Sequence, residues 1–189
     1  MTPDVVMPGS HTKVWWLCKE KHEYYTSIAS RTNRKSGCPF CSGQKAISGK
    51  TDLKTLYPSI ADEWDYDRNG DLIPEKVKSF SHQKVWWICP KGHNYETAIC
   101  NRTKNSKKGS GNGCPYCSGQ KVLAGFNDLE TLFPEIAAKW HPTLNNELDP
   151  SMVHPYSTKK VWWIDNDGNT YQRRIDAEVI MYRKKQNLK

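Results

Sequence analysis

Cysteine and histidine recur in two matching sets, each made of three cysteines and one histidine. The first set is Cys18-x3-His22 followed by Cys38-x2-Cys41, and the second is Cys89-x3-His93 followed by Cys114-x2-Cys117. Thiolates and imidazoles in this combination are the ligands of four-coordinate structural zinc. Each short spacing places two ligands in one tight turn, and the longer gap allows a hairpin to fold back and close the site. The sequence therefore predicts two structural zinc ions per chain.

Two other chemistries of cysteine are less well supported. The tetrapeptide Cys114-Pro115-Tyr116-Cys117 resembles the active site of a glutaredoxin, but a thioredoxin-like motif belongs beside a βαβ pattern, and the sequence shows none. An iron–sulfur cluster held by four cysteines needs one more than each set offers. The seventh cysteine, Cys100, stands outside both sets, and we expect it to be a small buried residue.

The chain repeats itself. The motif Lys-Val-Trp-Trp begins at Lys13, Lys84 and Lys160. We interpret the chain as a first zinc-binding unit at residues 1–70, a second zinc-binding unit at 71–147, and a truncated third unit at 148–189. The second copy carries an insertion within Thr103–Gly113 whose composition is typical of a flexible loop. The third copy has Asp165 and Asn169 in place of the first two ligands, so we expect no third zinc.

The sequence of each unit predicts a β-hairpin followed by short helices. We therefore expect the fold to consist of small α+β zinc-binding modules in tandem. Lys-Val-Trp-Trp favours a strand, and the chain returns in a second strand. Thr51 or Asn127 is expected to cap a helical turn beginning at Asp52 or Asp128. Pro58 and Pro134 suit the first position of the next helix. A stripe at helical spacing predicts the unit's core, and it consists of Leu53, Leu56, Ile60 and Trp64.

Composition and charge narrow the class of protein. No stretch approaches the roughly 20 apolar residues of a membrane span, and the first residues lack the pattern of a signal peptide, so we expect a cytoplasmic protein without a membrane partner. Lys and Arg exceed Asp and Glu by 28 to 20, a formal charge of +8. Two zinc ions with six thiolates lower this charge to about +6. A basic protein of this kind favours a polyanionic partner.

The second unit resembles a known family. Its motifs Trp86-Trp87-Ile88-Cys89-x3-His93 and Gly113-Cys114-Pro115-Tyr116-Cys117 are similar to those of the zinc-ribbon (treble-clef-like) tandem-repeat family of bacteria and phages. The resemblance covers nearly the whole chain. Some members of that family are joined to nucleases that resemble very-short-patch-repair or restriction endonucleases. The resemblance thus implies DNA binding in the service of cleavage or defence, although this chain shows no nuclease-sized domain.

The leading functional hypothesis is a zinc-stabilised DNA-binding protein, accessory to a separately encoded nuclease or defence effector. Basic residues between the second strand and each Cys-x2-Cys turn are the candidate phosphate contacts, namely Arg31, Arg34, Lys35, Arg102, Lys104, Lys107 and Lys108. The alternative for these charges is a solvated loop. The alternative function is a protein–protein adaptor without DNA contact.

In each Trp-Trp pair the second ring is expected to face the metal side, which leaves Trp15 and Trp86 available to a ligand.

Catalysis is not expected from this chain. Asp52-Leu53-Lys54 resembles a carboxylate pattern of nucleases, but the second repeat has Glu130 at the position of Lys54. The sequence of this segment also predicts a helix. The form of the nucleic acid, any base preference and the oligomeric state are left open by the sequence.

Overall fold

The computed structural model describes residues 2–104 and 113–187. The chain divides into two compact units, Met1–Gly111 and Asn112–Lys189. The first unit contains two β-hairpins and the second contains one. We describe each unit by itself.

The three Lys-Val-Trp-Trp motifs each form the first strand of an antiparallel two-stranded hairpin. The strands are β1 (Lys13–Leu17), β2 (Glu23–Ser27), β3 (Lys84–Ile88), β4 (Asn94–Ala98), β5 (Lys160–Ile164) and β6 (Thr170–Arg174). The register is the same in all three hairpins, because the second tryptophan of each pair lies opposite a tyrosine. These hairpins confirm the predicted small α+β modules.

A helix continues directly from the second strand of every hairpin, and shorter helices follow the two Cys-x2-Cys turns. The helices of the first unit are α1 (Ile28–Thr32), α2 (Leu53–Leu56), α3 (Pro58–Ala61), α4 (Tyr66–Asn69) and α5 (Ile99–Thr103). Those of the second unit are α6 (Leu129–Leu132), α7 (Pro134–Ala137) and α8 (Ile175–Asn187). Pro58 and Pro134 occupy the predicted first helical position.

The helix caps lie one residue later than predicted. Asp52, rather than Thr51, caps α2, and Asp128 rather than Asn127 caps α6. The Asp52 carboxylate is fully buried and accepts hydrogen bonds from the N–H groups of Thr55 at 2.8 Å and Gly49 at 2.6 Å. Burial raises the pKa of this carboxyl, but the hydrogen bonds outweigh burial and leave the pKa below its usual value. The helix is therefore capped by a charged carboxylate, which is a stronger hydrogen-bond acceptor than the neutral side chain of the preceding residue.

The predicted apolar stripe is interrupted at Leu56. Leu53 and Trp64 are buried, whereas Leu56 is 48% exposed. The reason is that α2 ends at Leu56 and Pro58 starts a new helix, so one helical face does not continue across the break. Ala61 is buried instead, at 3% exposed.

In the first unit, the helices that follow the first Cys-x2-Cys turn pack on the second hairpin. The Leu53 N–H donates to the Val77 carbonyl at 2.9 Å, and the Ile88 N–H donates to the Glu63 carbonyl at 2.7 Å. The rings of Trp64 and Trp87 meet edge to face at 5.4 Å between centroids. The helices of one sequence repeat thus complete the core of the next hairpin.

The second unit repeats this arrangement with the truncated third copy. The Leu129 N–H donates to the Val153 carbonyl at 2.8 Å, and the rings of Trp140 and Trp163 meet edge to face at 5.3 Å. One buried cluster includes Leu129, Ile136, Val153, Val161, Trp163, Ile175 and Val179. The third hairpin therefore supplies the surface that buries the helices of the second repeat, as a terminal repeat does in a stacked array.

Candidate metal centres

The four ligands of the first Cys/His set lie together at the end of the first hairpin. Their ligand atoms are all within 4.8 Å of one another. The His22 Nδ1 atom lies 3.5 Å from Cys18 Sγ, 3.3 Å from Cys41 Sγ and 3.8 Å from Cys38 Sγ. The sulfurs of Cys18 and Cys41 are 3.7 Å apart.

These separations match the edges of a zinc tetrahedron. With Zn–S bonds of about 2.3 Å and a Zn–N bond of about 2.0 Å, tetrahedral geometry places sulfurs about 3.8 Å apart and sulfur about 3.5 Å from nitrogen. The donor set of three thiolates and one imidazole is also the composition that structural zinc prefers. The first set therefore fits a zinc ion with all four positions filled by protein.

Two local turns bring the ligands together. The first hairpin closes through Cys18 and His22, whose backbones pair at 3.1 Å, and the His22 N–H also donates to Cys18 Sγ at 3.3 Å. The other two ligands lie in a tight turn, in which the Ser42 N–H donates to the Cys38 carbonyl at 2.9 Å. Backbone N–H groups directed at sulfur favour the thiolate that binds metal.

The second Cys/His set has the same composition and contains Cys89, His93, Cys114 and Cys117. One ligand atom from each residue lies within 4.8 Å of all the others. The distance from Cys89 Sγ to His93 Nδ1 is 3.5 Å, as in the first set. The protein thus has two Cys3His sites that fit two structural zinc ions.

The Cys-x3-His turn needs a left-handed residue immediately before the histidine. Lys21 has φ 59° there, and Gly92 has φ 82° at the same position of the second set. A residue with a Cβ atom costs about 1 kcal/mol in this conformation, and glycine does not. We therefore expect Lys21→Gly to raise the free energy of unfolding of the zinc-loaded chain by about 0.5–1 kcal/mol, and Gly92→Lys to lower it by about 1 kcal/mol.

Urea unfolding of both variants measures this pair of effects. Gly49→Ala, at another glycine with positive φ outside the metal turns, is the control for the general cost of a Cβ atom. Equal destabilisation by Lys21→Gly and Gly92→Lys contradicts the assignment of strain to this turn.

The third copy keeps the turn with different chemistry. Asp165 stands at the first ligand position, and its Oδ1 accepts hydrogen bonds from the N–H groups of Asn169 at 2.8 Å and Asp167 at 3.0 Å. The bond from the Asn169 N–H is the main cause that holds the pKa of the Asp165 carboxyl below its usual value. The carboxylate therefore stabilises the turn at neutral pH, and this stabilisation is lost as the pH falls below about 4.

Comparison with known families fits this geometry. A family model described as "probable treble clef zinc finger domain" matches residues 1–44, 60–120 and 136–186, which together make up most of the chain. The chain belongs to this zinc finger family. None of the curated proteins compared with this zinc finger matches it. No helix among the described residues of the zinc finger is long and apolar enough to cross a bilayer.

Two of the candidate phosphate contacts are structural. Arg102 is only 6% exposed, its guanidinium forms an ion pair with Glu63 at 2.6 Å, and it lies over the Trp87 ring. Arg31 is half-buried over the Trp16 ring at 5.2 Å and donates to the Ser36 carbonyl at 2.7 Å. Both belong to helices rather than to the expected loop, because a helix follows each second strand. We therefore remove Arg102 from the candidate phosphate contacts, and Arg31 is not a free surface charge.

The other candidate phosphate contacts fall into two groups, one exposed and one outside the described residues. Arg34, Lys35 and Lys104 are exposed. Lys107 and Lys108 lie outside the described residues, as does most of the insertion Thr103–Gly113. The exposed residues remain available to a polyanion.

The alternation within the first Trp-Trp pair is as expected. Trp15 is 70% exposed, and its ring lies tilted against that of Tyr25 at 5.3 Å between centroids. Trp16 is half-buried, and its indole N–H donates to the Thr26 carbonyl at 3.1 Å. Cys100 is half-buried rather than buried, with its sulfur 3.5 Å from His82 Nδ1.

Sequence reasoning missed the residues that bind the edge of each later hairpin. The Asn69 side chain accepts from the Trp86 N–H at 2.9 Å and donates to its carbonyl at 2.8 Å. Asn145 makes the same two bonds to Trp162. The signal was present, because an asparagine follows Trp64 and Trp140 at the same spacing.

Proposed function

We propose that the protein is a zinc-stabilised DNA-binding module. The observation that carries this proposal is a basic cavity beside the first zinc site. The cavity has a volume of about 700 Å³ and is open to solvent. Its lining includes three exposed lysines, Lys21, Lys45 and Lys76, and the ring of Phe40. Ammonium groups next to an aromatic ring are the combination that binds phosphates and stacks on bases.

The acidic residues of the cavity do not cancel its charge. Glu23 and Glu75 also line it, but Glu75 forms an ion pair with Lys54 at 2.6 Å, which offsets its charge. Lys45 lies over the Phe40 ring at 5.9 Å, so its ammonium group is held at the aromatic surface. Arg34 and Lys35 are exposed in the same unit and extend the basic character. With both zinc sites filled the formal charge is about +6, which still favours the approach of a polyanion.

Reversing two lysines of the cavity tests DNA binding. We expect the double variant Lys45→Glu, Lys76→Glu to bind a fluorescein-labelled duplex about tenfold or more weakly, with a smaller salt dependence, because fewer counterions are released. The measurement is an anisotropy titration at several salt concentrations, with zinc content as the check of folding.

The matched control is Lys159→Glu, Lys160→Glu, which makes the same change of charge at two exposed residues of the third hairpin. An equal loss of affinity in both double variants indicates non-specific attraction. Unchanged affinity in the cavity variant contradicts the proposal and favours the protein–protein adaptor.

The resemblance to repeats that are joined to nucleases extends the proposal to an accessory of a separately encoded nuclease or defence effector. A pull-down with the tagged chain, after nuclease digestion of the lysate and washing, tests this role through metal-dependent cleavage of DNA in the eluate. An eluate without cleavage activity, from a host lysate that has it, contradicts the accessory role.

A further inference from the structure

The first hairpin lacks the covering that the other two hairpins have. Helices of a preceding repeat lie on the second and third hairpins, through Trp64 on Trp87 and Trp140 on Trp163. Among the described residues, nothing equivalent lies on the first hairpin, where Trp15 is 70% and Leu17 is 68% exposed. The first hairpin thus presents an apolar edge whose two counterparts in this chain are used for packing.

A cavity on this hairpin corresponds to a filled core position elsewhere. The cavity has a volume of about 430 Å³, and its lining includes Val6, Val14, Trp16 and Ile28. The same positions of the third repeat are Val153, Val161, Trp163 and Ile175, which form one buried cluster with Leu129. The repeat therefore shows what fills the cavity, namely a leucine at the start of a short helix.

The backbone of β1 is open where the backbones of β3 and β5 are bonded. In the second hairpin, the Trp86 carbonyl accepts from the Asp65 N–H at 3.2 Å, and the Ile88 N–H donates to the Glu63 carbonyl at 2.7 Å. The third hairpin makes the same two bonds through Trp162 and Ile164. No described group outside the hairpin bonds the corresponding backbone groups of Trp15 and Leu17, which leaves an edge available for pairing.

The charge of the missing partner is indicated by Arg31. Its guanidinium lies over Trp16 and Tyr24 at 5.2 and 5.9 Å, as Arg102 lies over Trp87 and Tyr95 at 5.4 and 5.8 Å. Arg102 has the Glu63 carboxylate at 2.6 Å, whereas Arg31 has no ion pair among the described residues. The first hairpin therefore lacks a carboxylate as well as a leucine and a tryptophan.

We propose that the first hairpin binds a helical segment of another zinc finger protein with the chemistry of residues 52–69. Such a segment carries a leucine for the cavity, an acidic residue directly before a tryptophan, and an asparagine for the edge of β1. The acidic residue distinguishes the proposed partner segment from residues 128–145 of this chain, which have Lys139 at the position of Glu63. In a second copy of this chain both helical segments already cover hairpins, so a second copy is not the occupant that we propose. This proposal does not depend on DNA binding.

A labelled peptide of residues 51–70, titrated into the zinc-loaded chain, tests the proposal by fluorescence anisotropy. We expect saturable binding at one site, weakened about tenfold or more by Trp64→Ala in the peptide. Leu17→Lys in the chain is expected to weaken binding similarly, and this residue is exposed, so the fold is retained. A charge exchange adds specificity, because an Arg31→Glu chain should prefer a Glu63→Arg peptide to the natural one.

A fusion of the same segment to the amino terminus through a flexible Gly/Ser linker raises its effective concentration to the millimolar range, which compensates for the cost of ordering a free peptide. In the fusion we expect Trp15 to be protected from oxidation by N-bromosuccinimide. Absence of both peptide binding up to millimolar concentration and protection in the fusion overturns the proposal. The proposal is also overturned if the peptide binds the Leu17→Lys chain as tightly as the natural chain. It is overturned as well if the chain does not bind the peptide but binds an oligonucleotide, and Leu17→Lys abolishes that binding.

Discussion

Replacing Cys38 with serine is expected to lower the zinc content from two ions per chain to one and to unfold the first hairpin. Cys38 is 6% exposed, and its sulfur is one of the four ligands of the first site. Structural zinc contributes an apparent ~10–16 kcal/mol to the folding of small modules, so loss of one thiolate removes several kcal/mol. The first hairpin has little core to replace this contribution, since Trp15 and Leu17 are exposed.

Metal analysis together with the indole N–H signals of ¹⁵N-labelled protein measures both parts of this prediction. The Trp16 signal should lose its dispersion in the variant, while the Trp163 signal should keep it. Cys100→Ser is the matched control, because Cys100 belongs to neither ligand set. If Cys38→Ser keeps two zinc ions, or Cys100→Ser loses one, the assignment of the ligands is wrong.

Trp87→Ala is expected to destabilise the first unit by about 3–5 kcal/mol, the usual cost of truncating a fully buried aromatic side chain. Trp87 has no exposed surface, its indole N–H donates to the Thr97 carbonyl at 3.1 Å, and its ring meets that of Trp64. Its loss also leaves the ion pair of Arg102 and Glu63 without the ring that covers it.

The control is Trp15→Ala, which changes the same residue type at the exposed position of the first hairpin. We expect this variant to cost about 0.5 kcal/mol or less, as surface substitutions do. Urea unfolding of the zinc-loaded chains, followed by circular dichroism, gives both values. Comparable costs for the two variants contradict the packing of helices on the next hairpin.

The metal sites were accessible to sequence reasoning because their chemistry is local. Cysteine and histidine at a spacing of four lie in one turn whatever the rest of the chain does, and two copies of the set exclude coincidence. The hairpins were accessible for a similar reason, since Lys-Val-Trp-Trp favours a strand and its return strand follows closely.

The packing between repeats was not accessible from the same patterns. Residues 53–64 predict a helical face, but the pattern does not say which hairpin the face covers. The answer depends on contacts between Trp64 and Trp87, which belong to different sequence repeats. Leu56 shows the same limit on a smaller scale, because a proline two residues later ends the face on which its burial was predicted.

The basic residues show why charge alone does not identify a binding surface. Arg102 lies in a basic stretch of the sequence, yet it is buried and forms an ion pair with Glu63, which belongs to the preceding repeat. Lys45 and Lys76 are far apart in sequence and line the same cavity. Only the folded chain distinguishes a paired charge from an available one.

Zinc removal with simultaneous counting of reactive thiols tests the central claim most directly, namely that two Cys3His sites hold these modules folded. We expect that a chelator releases two zinc ions per chain, that the near-ultraviolet circular dichroism of the tryptophans collapses, and that the six ligand cysteines become alkylated only after release. A chain that keeps its near-ultraviolet spectrum after complete chelation, with all seven cysteines alkylated, contradicts it.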